Sequence, residues 1–593
     1  MNPIQWVIEF MSGRSSWKLV DQNGEALSPL VYSNRKTQED VVNEVLDALD
    51  DHDILFLRGG VGTGKSAIAL QIIDYYGKGI ISTPTKILEK QYKDDYCGSG
   101  GMKIGDLDVN FLMGRTNFKC LTPPKKLKPK NLRRPVNCGY RYLPCVQTLP
   151  KLVSRCSVAS RCPHWSPVYS PGMCILLEKR ERKTIPYMSK TGAKVFYLAK
   201  KPCPYYEQFI HFTKPGAIIM NTAKWEAETW IGRKPKVPIE IIDEGDEYMD
   251  GLTYRTSVTR RLFNRIIRDD LIESETLRQM IVYFEDTLDK FGQPGYDGFL
   301  YEEENLSRFL EAFVEMLDSA EHSDFILNVK TRIELILKYQ DVAWAKTTRK
   351  PPNEMITVFL PSPDVTLKEL AKRSGKLLFM SATIHDKLRL YDIFKMEDPK
   401  FIEAETRFPG TLYIMQPSGN DIPRVTFKTW RDVEFRKAYW RLLDDAIDFA
   451  ARPCLVQVHA WKYLPDKYKP SDDQRREEYW SFEDDEVRFS TRTDRGVDLR
   501  DDLCRSIIIM KYPMPNTEDI VFKTMRKLLG ESVFWSYLRD ISDRNLVQQC
   551  GRAVRHHDDW CEIYTTDGAV FSQLPRLWKG RYTIGQAHAS FKR

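Results

Sequence analysis

Hydrophobic and polar positions repeat with two different periods along the chain, which predicts helices and strands in turn. Apolar residues of segment 38–49 recur at helical spacing, and segment 54–57 is a short apolar run typical of a buried strand. A glycine-rich turn at 59–64, a helix at 65–75 and a strand at 79–82 follow. Strands that alternate with helices in this way indicate an α/β domain with a parallel sheet.

Similar patterns return later in the chain and divide it into regions. Residues 237–242 and 377–380 are again of the buried-strand type, whereas residues 255–345 have a helical pattern. A second alternating unit begins after about residue 400. Its predicted strands are 454–458, 506–510 and 561–564.

Composition is that of a globular protein with several domains. The 593 residues are 42% hydrophobic and 29% charged, which excludes a disordered or fibrous chain. No run approaches 18 apolar residues, and the N-terminus lacks the pattern of a secretory signal. We therefore expect a cytoplasmic protein with no membrane partner, whose 12 Cys are thiols or metal ligands.

The net charge of +7 is distributed very unevenly. Residues 115–201 contain 20 Lys and Arg but only two acids, so this basic segment carries +18 and the rest of the chain −11. Aromatic residues are interleaved with the basic ones, a composition that suits phosphates outside and base faces inside. The segment therefore predicts a nucleic-acid-binding surface. Its aromatic residues, with two just beyond its end, are Phe118, Tyr140, Tyr142, Trp165, Tyr169, Tyr187, Phe196, Tyr197, Tyr205 and Tyr206.

The strongest motif is a complete G-x-x-x-x-G-K-[ST] phosphate loop between a predicted strand and helix. Backbone N–H groups around Gly59, Gly62 and Gly64 would surround the phosphates, assisted by the positive end of the helix. Lys65 would reach the β- and γ-phosphates, and the Ser66 hydroxyl would ligate Mg²⁺. The motif predicts a site for ATP or a related nucleoside triphosphate.

Two acids follow the predicted strand at 237–242. Asp243 there can hold Mg²⁺ through water, and Glu244 can orient and deprotonate the attacking water. Acids at a strand end are often merely solvated. The phosphate loop elsewhere in the chain favours the functional interpretation.

Two arginines in the second alternating unit fit the same reaction. Arg552 and Arg555 are three residues apart and would share one face if their segment is helical. An arginine reaching across a cleft stabilises charge on a transferring phosphoryl group. We predict this role for both.

Together, the motifs resemble those of superfamily 2 helicases, most closely the DinG/XPD branch. The resemblance extends from Arg35 to beyond Arg555. Its motifs are GGVGTGKS, STPT (82–85), DEGD (243–246), MSATI (380–384), DRGVDL (494–499) and QQCGRAVR (548–555).

The resemblance implies further residue roles. Gln38 would recognise adenine, and Asp498 would lie at the nucleotide cleft. Ser381, Thr383 and Gln548 would couple hydrolysis to motion. The residues implied to contact nucleic acid are Thr85, Arg115 and Tyr205.

Two positions depart from the family pattern. Asp246 stands where this branch commonly has a His that relays between the ATP site and the motor cleft. Arg495 stands where many relatives carry an acid. The first departure puts tight coupling in question but leaves Mg²⁺ binding as expected.

The family also places an iron–sulfur domain at the position of the basic segment. Cys120 and Cys203 lie in segments that resemble those of its first and last ligands, and a [4Fe–4S] cluster needs four thiolates. Five cysteines compete for the two middle places, of which we select Cys138 and Cys162. A zinc site or a vestigial domain without metal are the alternatives.

The predicted architecture is α/β, with two RecA-like parallel-sheet motor domains, a cysteine-rich basic insert and a helical arch insert. The predicted regions are an N-terminal hairpin (1–30), motor domain 1 (31–114, 204–254 and 346–395), the basic insert (115–203), the arch (255–345) and motor domain 2 (396–593).

The resemblance implies an ATP-dependent 5′–3′ DNA helicase that acts as a monomeric motor. Its expected partners are single-stranded and duplex DNA, with RNA–DNA hybrid as a further candidate. No nuclease domain is seen ahead of Gln38, as in the compact DinG proteins recruited to type IV CRISPR effector complexes. A repair or phage helicase fits equally. The rival class is an ATP-gated remodelling factor that binds nucleic acid without processive unwinding.

Overall fold

The computed structural model describes residues 16–60, 62–97, 101–114, 117–118, 168–169, 184–190, 192, 194–198, 203–269, 272–319, 324–349, 354–416, 424–469, 487–491, 499 and 501–586. Its strands are β1 (Leu19–Val20), β2 (Ile54–Arg58), β3 (Lys78–Thr83), β4 (Lys103–Ile104), β5 (Val109–Phe111), β6 (Val168–Tyr169), β7 (Thr184–Met188), β8 (Lys194–Leu198), β9 (Gly216–Asn221), β10 (Ile239–Asp243), β11 (Tyr254–Thr259), β12 (Asp297–Phe299), β13 (Trp344–Thr348), β14 (Met355–Leu360), β15 (Lys376–Ser381), β16 (Lys400–Glu403), β17 (Thr411–Gln416), β18 (Cys454–Gln457), β19 (Val487–Ser490), β20 (Ser506–Ile509), β21 (Trp560–Thr565) and β22 (Arg581–Gln586).

The α-helices follow the same order along the chain. They are α1 (Gln38–Asp51), α2 (Lys65–Tyr76), α3 (Lys86–Tyr96), α4 (Pro204–Glu207), α5 (Thr222–Ile231), α6 (Gly245–Asp250), α7 (Arg260–Asp269), α8 (Ser274–Phe291), α9 (Glu304–Asp318), α10 (Asp324–Lys338), α11 (Pro363–Lys372), α12 (Lys387–Phe394), α13 (Val433–Phe449), α14 (Ile520–Leu529), α15 (Glu531–Cys550) and α16 (Gly568–Leu577). Within the described ranges, no helix is both long and apolar enough to cross a membrane.

The first sheet has seven parallel strands in the order β16-β2-β15-β10-β3-β9-β5. Strands β2, β15 and β10 are neighbours, so their carboxyl ends lie side by side. The phosphate loop, Ser381 and Asp243 follow or end these three strands. The fold thus brings three of the predicted motifs to one edge of the sheet.

Local sequence explains the helices beside this edge. Helix α1 begins at Thr37, whose side chain accepts from Asp40 N while the Asp40 carboxylate accepts from Thr37 N, forming a capping box. Its apolar positions, from Val41 to Leu49, are buried against the first sheet. Helix α2 begins directly after Gly64, whose φ of 68° lies in the left-handed region.

The second sheet has six parallel strands in the order β19-β18-β20-β21-β17-β22. Strands β18, β20 and β21 correspond to the three strands predicted for the second unit. The two parallel sheets with their helices confirm the α/β class and two motor domains.

The arch insert is less helical than predicted. Helices α7–α10 are present, but β11, β14, β13 and β12 form a four-stranded antiparallel sheet beside them. Strands β13 and β14 extend the insert to Leu360, so residues 346–348 and 355–360 belong to this sheet and not to motor domain 1. The long helices dominate the hydrophobic pattern of this region, so the shorter strands were not predicted. Buried side chains of the strands belong to the same hydrophobic core as those of the helices.

The first motor domain extends further than predicted at its other end. Strand β16, assigned from the sequence to motor domain 2, pairs in parallel with β2 of the first sheet. Phe401 packs on Phe56 with 5.4 Å between ring centroids, and the Arg58 guanidinium lies 4.2 Å from the Phe401 ring. The chain therefore passes from one sheet to the other between Glu403 and Thr411.

Only parts of the basic insert and the N-terminal region lie in the described ranges. In the insert, β6, β8 and β7 form an antiparallel sheet. Near the N-terminus, a turn at 21–24 leads to a bridge between Val20 and Ala26, while β1 pairs with β4. The first half of the predicted hairpin lies outside the described residues.

Candidate nucleotide site between the two sheets

A cleft of about 370 Å³ lies between the two sheets and is lined from both sides. The first motor domain contributes the phosphate loop together with Asp243 and Glu244. The second contributes Gln548, Arg552 and Arg555. Most of the predicted hydrolysis residues are therefore brought into one cavity.

The phosphate loop has the backbone that its glycines predict. Gly62 has φ 78°, and a Cβ there would lie 2.9 Å from the Arg555 carbonyl oxygen, so a side chain would strain the loop and collide with the opposite wall. Lys65 Nζ donates to the carbonyl oxygens of Gly59 and Gly60 at 2.8 and 3.1 Å. Burial lowers the pKa of Lys65, opposed by Glu244 and Asp243.

Residues ahead of helix α1 support this loop from outside. Tyr32 OH donates to the Thr63 carbonyl oxygen at 2.8 Å, and Gln38 Nε2 donates to the same atom at 3.2 Å. Gln38 Oε1 accepts from Leu30 N at 2.8 Å. Gln38 therefore braces the phosphate loop in this structure, and its role toward adenine stays a prediction.

Asp243 and Glu244 lie at the end of β10 in different environments. Burial, followed by the Glu244 charge, raises the pKa of Asp243 to about 6. Its Oδ2 accepts from Tyr92 OH at 3.0 Å, and its Oδ1 from Glu244 N at 3.0 Å. Glu244 has φ 51°, a left-handed conformation that is strained for a residue with a side chain and typical of functional sites.

Ser66 and Asp243 supply the oxygen ligands that Mg²⁺ prefers. The Ser66 hydroxyl is in the first turn of α2 and 3.1 Å from Tyr96 OH. Both side chains line the same cleft as Lys65. The donor set therefore fits a magnesium ion bound together with nucleotide phosphates.

The two arginines reach the cleft from a turn, and the conditional helical interpretation of their segment is wrong. Helix α15 ends at Cys550 because Gly551 caps it, and Arg552 and Arg555 follow. Arg552 Nη2 lies 3.9 Å from Glu244 Oε1, and its side chain is 7% exposed. The arginines nevertheless face the first sheet from the second.

The three predicted coupling residues form one hydrogen-bonded group across the cleft. Gln548 Nε2, from motor domain 2, donates to Thr383 Oγ1 at 2.6 Å and to Ser381 Oγ at 3.4 Å. It also lies 3.3 Å from Glu244 Oε2. One amide thus touches the Glu244 carboxylate and the end of β15 together.

Asp246 is part of the same network despite replacing the His of the family pattern. Its buried Oδ2 accepts from Thr383 Oγ1 at 2.8 Å and from Arg544 Nη1 at 3.2 Å. Arg544 also pairs with Asp250 at 2.8 Å, and Asp250 accepts from His385 Nε2 at 2.8 Å. Burial acts to raise the pKa of Asp250, but Arg544 and His385 lower it below its usual value. An ion-pair cluster occupies the position of the expected relay.

The structure gives different outcomes for the predicted nucleic-acid contacts of Thr85 and Tyr205. The Thr85 side chain caps helix α3 by accepting from Leu88 N at 3.2 Å. Tyr205 is only 2% exposed, inside a cluster with Phe118, Tyr206 and Phe209, so its predicted contact with a base is wrong for this structure.

Two other aromatic residues proposed from the sequence to face bases, Tyr187 and Tyr206, are also buried, at 8% and 6% exposure. Their rings pack in the core of the first motor domain.

Several predicted residues lie outside the described ranges. Among the predicted cluster ligands, only Cys203 is described, as a half-buried residue that precedes helix α4. The others outside the described residues are Arg115, Cys120, Cys138, Cys162, Arg495 and Asp498.

Comparison with known proteins gives matches over the second motor domain and over the whole fold. A helicase C-terminal domain model matches residues 462–576. A solved XPD helicase structure superposes with a TM-score of 0.52 and 14% identity, covering 92% of this chain and 99% of that one. Residues 462–576 are therefore similar to a helicase C-terminal domain, and the chain shares the fold of that XPD structure.

Two further matches are shorter or weaker. ATP-dependent DNA helicase CHL1 of Saccharomyces cerevisiae (strain YJM789) is 28% identical over 85 residues, 12% of this chain. That match spans 10% of the length of the curated protein. Xpd4 of S. tokodaii is 13% identical, with a TM-score of 0.48 over 92% of this chain and 99% of that one.

Sequence reasoning missed several residues at the cleft. Arg544 lies four residues before Gln548, so helical spacing in α15 would have placed both on one face. Tyr92 and Tyr96 are likewise four residues apart in α3. Glu405, whose carbonyl oxygen accepts from Gly60 N at 2.6 Å, had no local signal.

Proposed function

We propose that this protein is an ATP-dependent DNA helicase that moves 5′ to 3′ along single-stranded DNA and separates duplexes. The observation that carries the proposal is the cleft, where Gln548 and Arg552 of one sheet approach Glu244 of the other. A hydrolysis site divided between two domains links the state of the nucleotide to their separation. That linkage is what a translocating motor requires.

The residues of the cleft divide the reaction among them. The phosphate-loop N–H groups and Lys65 bind the β- and γ-phosphates, while Ser66 and Asp243 hold Mg²⁺, which neutralises phosphate charge. Glu244 accepts a proton from the attacking water. Arg552 and Arg555 stabilise the charge that develops on the transferred group.

DNA is proposed as the polymer along which the protein moves, because the chain has a strongly basic segment and resembles the DinG/XPD family. The basic segment 115–201 carries +18 and would attract the phosphate backbone, with Arg115 within it and Thr85 at the start of α3. The 5′–3′ direction and the use of RNA–DNA hybrids are proposed from the DinG/XPD resemblance. Cytoplasmic location and recruitment to a CRISPR effector complex belong to the same proposal.

An iron–sulfur cluster on Cys120, Cys138, Cys162 and Cys203 is a separate part of the proposal. An anaerobic preparation should then be brown and contain about four irons per chain. A colourless protein with full helicase activity would reject the cluster and leave the motor assignment in place.

The central test compares Lys65→Ala with Lys90→Ala, a lysine that is exposed on α3. Lys65→Ala should lower DNA-stimulated ATP hydrolysis at least about a hundredfold, because a charge at the phosphates is lost. Strand displacement should fall with it, and Lys90→Ala should retain both activities.

Substrates with a 5′ or a 3′ single-stranded tail report direction in the same assay, and only the 5′ tail should support displacement. Unwinding by Lys65→Ala would overturn the hydrolysis assignment. Wild-type hydrolysis without strand displacement would favour the ATP-gated remodelling factor.

A further inference from the structure

Two tyrosine hydroxyls lie against the two side chains assigned to magnesium. Tyr92 OH donates to Asp243 Oδ2 at 3.0 Å, and the hydroxyl oxygens of Tyr96 and Ser66 are 3.1 Å apart. These contacts join helix α3 to helix α2 and to strand β10. Neither tyrosine lies in a motif that the sequence analysis used.

The two tyrosines form one buried face of α3. They are four residues apart, so their side chains lie one above the other, with 6.3 Å between ring centroids. Tyr92 is 1% exposed and Tyr96 7%. Burial raises the pKa of Tyr96 to about 12 and that of Tyr92 well above its usual value. Both hydroxyls therefore keep their protons at neutral pH.

The hydrogen bonds to Asp243 leave room for a metal. Each carboxylate oxygen has two acceptor positions, and the two donors among the described residues, Tyr92 OH and Glu244 N, each occupy one position on a different oxygen. One acceptor position on each oxygen is left for Mg²⁺ or its water. A donor that fixes a ligand in this way sets its orientation and its affinity for the metal.

We propose that Tyr92 and Tyr96 are positioning residues that orient Asp243 and Ser66 for Mg²⁺, so that helix α3 sets the metal affinity of the nucleotide site. This inference rests on the proposed function, since it takes ATP with magnesium as the ligand. Tyr92 has the larger effect because its partner is a carboxylate, whereas the partner of Tyr96 is a neutral hydroxyl.

Binding of a fluorescent non-hydrolysable nucleotide, mant-AMPPNP, tests the proposal without requiring turnover. Its Kd is measured in Mg²⁺ and in EDTA for the wild type, Tyr92→Phe and Tyr96→Phe. The gain in affinity on adding Mg²⁺ should fall about tenfold in Tyr92→Phe and less in Tyr96→Phe. The Kd in EDTA should stay the same, because the hydroxyls contact Asp243 and Ser66 rather than Lys65 or the loop glycines.

Tyr75→Phe is the matched control, since Tyr75 lies on α2 and is 44% exposed. It should bind like the wild type in both buffers. A full magnesium gain in Tyr92→Phe overturns the inference, as does an equal weakening in Mg²⁺ and EDTA, which is the pattern of a merely structural residue. A wild type that binds no nucleotide in either buffer would instead overturn the proposed function.

Discussion

Glu89 on helix α3 carries an acid into the protein interior near the start of that helix. It is 5% exposed, and its Oε1 has no hydrogen-bond partner among the described residues. Burial raises the pKa of Glu89 to about 7, although Asn221, Lys86 and Lys93 act in the opposite direction. The folded protein therefore binds a proton that the unfolded chain releases between about pH 4.5 and pH 7.

This shift predicts a pH-dependent stability that Glu89→Gln removes. An acid with a raised pKa stabilises the fold while it is protonated, so the free energy of unfolding falls as pH rises from about 4.5 to about 7 and then levels off. We expect Glu89→Gln to match the wild type near pH 4.5 and to exceed it by about 2 kcal/mol at pH 8. Urea unfolding at several pH values measures the difference.

Glu397→Gln, on an exposed loop, is the control and should follow the wild type at every pH. If the difference between Glu89→Gln and the wild type did not change with pH, burial would not be governing this carboxyl.

Predictions for single residues were correct where the role of a residue depends on its neighbours in the sequence. The phosphate loop could be read from eight consecutive residues, because its glycines and Lys65 act through their own backbone and their neighbours. The contact from Tyr92 to Asp243 joins positions 151 residues apart. No spacing in the sequence specifies such a pair, and the burial of Tyr205 was hidden for the same reason.

At the scale of elements, the start of β17 packs closely against a turn of the same domain at one glycine. Gly410 has φ 67°, just before β17, and a Cβ there would collide with the Val554 side chain and the Asp559 carbonyl oxygen. The close approach fixes β17 against the turn that carries Arg555. Gly530 between α14 and α15 has φ 77° but open space around it.

Gly410→Ala should therefore destabilise the protein more than Gly530→Ala. Both changes place a side chain in the left-handed region, which costs about 1 kcal/mol, and only the first adds a collision with backbone. We expect a further loss of about 2 kcal/mol for Gly410→Ala, measured by thermal or urea unfolding. Equal losses for the two variants would mean that the turn moves away freely.

Element predictions failed where a strand was short or a helix ended early. Strand β16 has four residues with no alternation strong enough to assign it to either sheet, so only its pairing with β2 reveals its domain. The segment after Gln548 continues a helical pattern in sequence, but Gly551 ends the helix there. Parallel strands such as β10, with their continuous apolar runs, were found correctly.

For the whole molecule, Arg544 is a buried cation that joins the two motor domains. From α15 it contacts Asp246 and Asp250 of the first domain at 3.2 and 2.8 Å, with a side chain 8% exposed. Removing one partner of a buried ion pair leaves an uncompensated charge. The closed arrangement of the domains should therefore depend on this side chain.

Arg544→Gln should uncouple hydrolysis from movement. We expect ATP hydrolysis to persist while strand displacement per ATP falls roughly tenfold, since the contact made on closure is weakened by more than 1 kcal/mol. Parallel ATPase and displacement assays measure the ratio. Arg526→Gln is the control, because Arg526 pairs with Glu531 inside motor domain 2 at the surface.

Combining Arg544→Gln with Asp250→Asn should recover part of the ratio by removing a carboxylate that has lost its partner. An unchanged ratio in Arg544→Gln would exclude the ion pair as the coupling contact.

For the whole molecule, the sequence predicted the order of the domains but not the residues at which one domain passes into the next. Motifs spaced along the chain specified two sheets and a shared site, since the four motifs before residue 390 each lie at the carboxyl end of a strand. The antiparallel sheet of the arch depends on pairing between β11 and β14, which are about a hundred residues apart. Such long-range pairing has no trace in local periodicity.

The crossing between the sheets has a mechanical consequence. Residues 404–410 are the covalent link from β16 to β17, and within them the Glu405 carbonyl oxygen accepts from Gly60 N, while its carboxylate accepts from Ser33 N at 2.7 Å. Any force that pulls the two sheets apart runs as tension through this short link. Because Glu405 in this link is hydrogen-bonded to Gly60, the tension reaches the phosphate loop directly. In the proposed motor, a load on the domains would therefore act on the residues that bind the nucleotide phosphates.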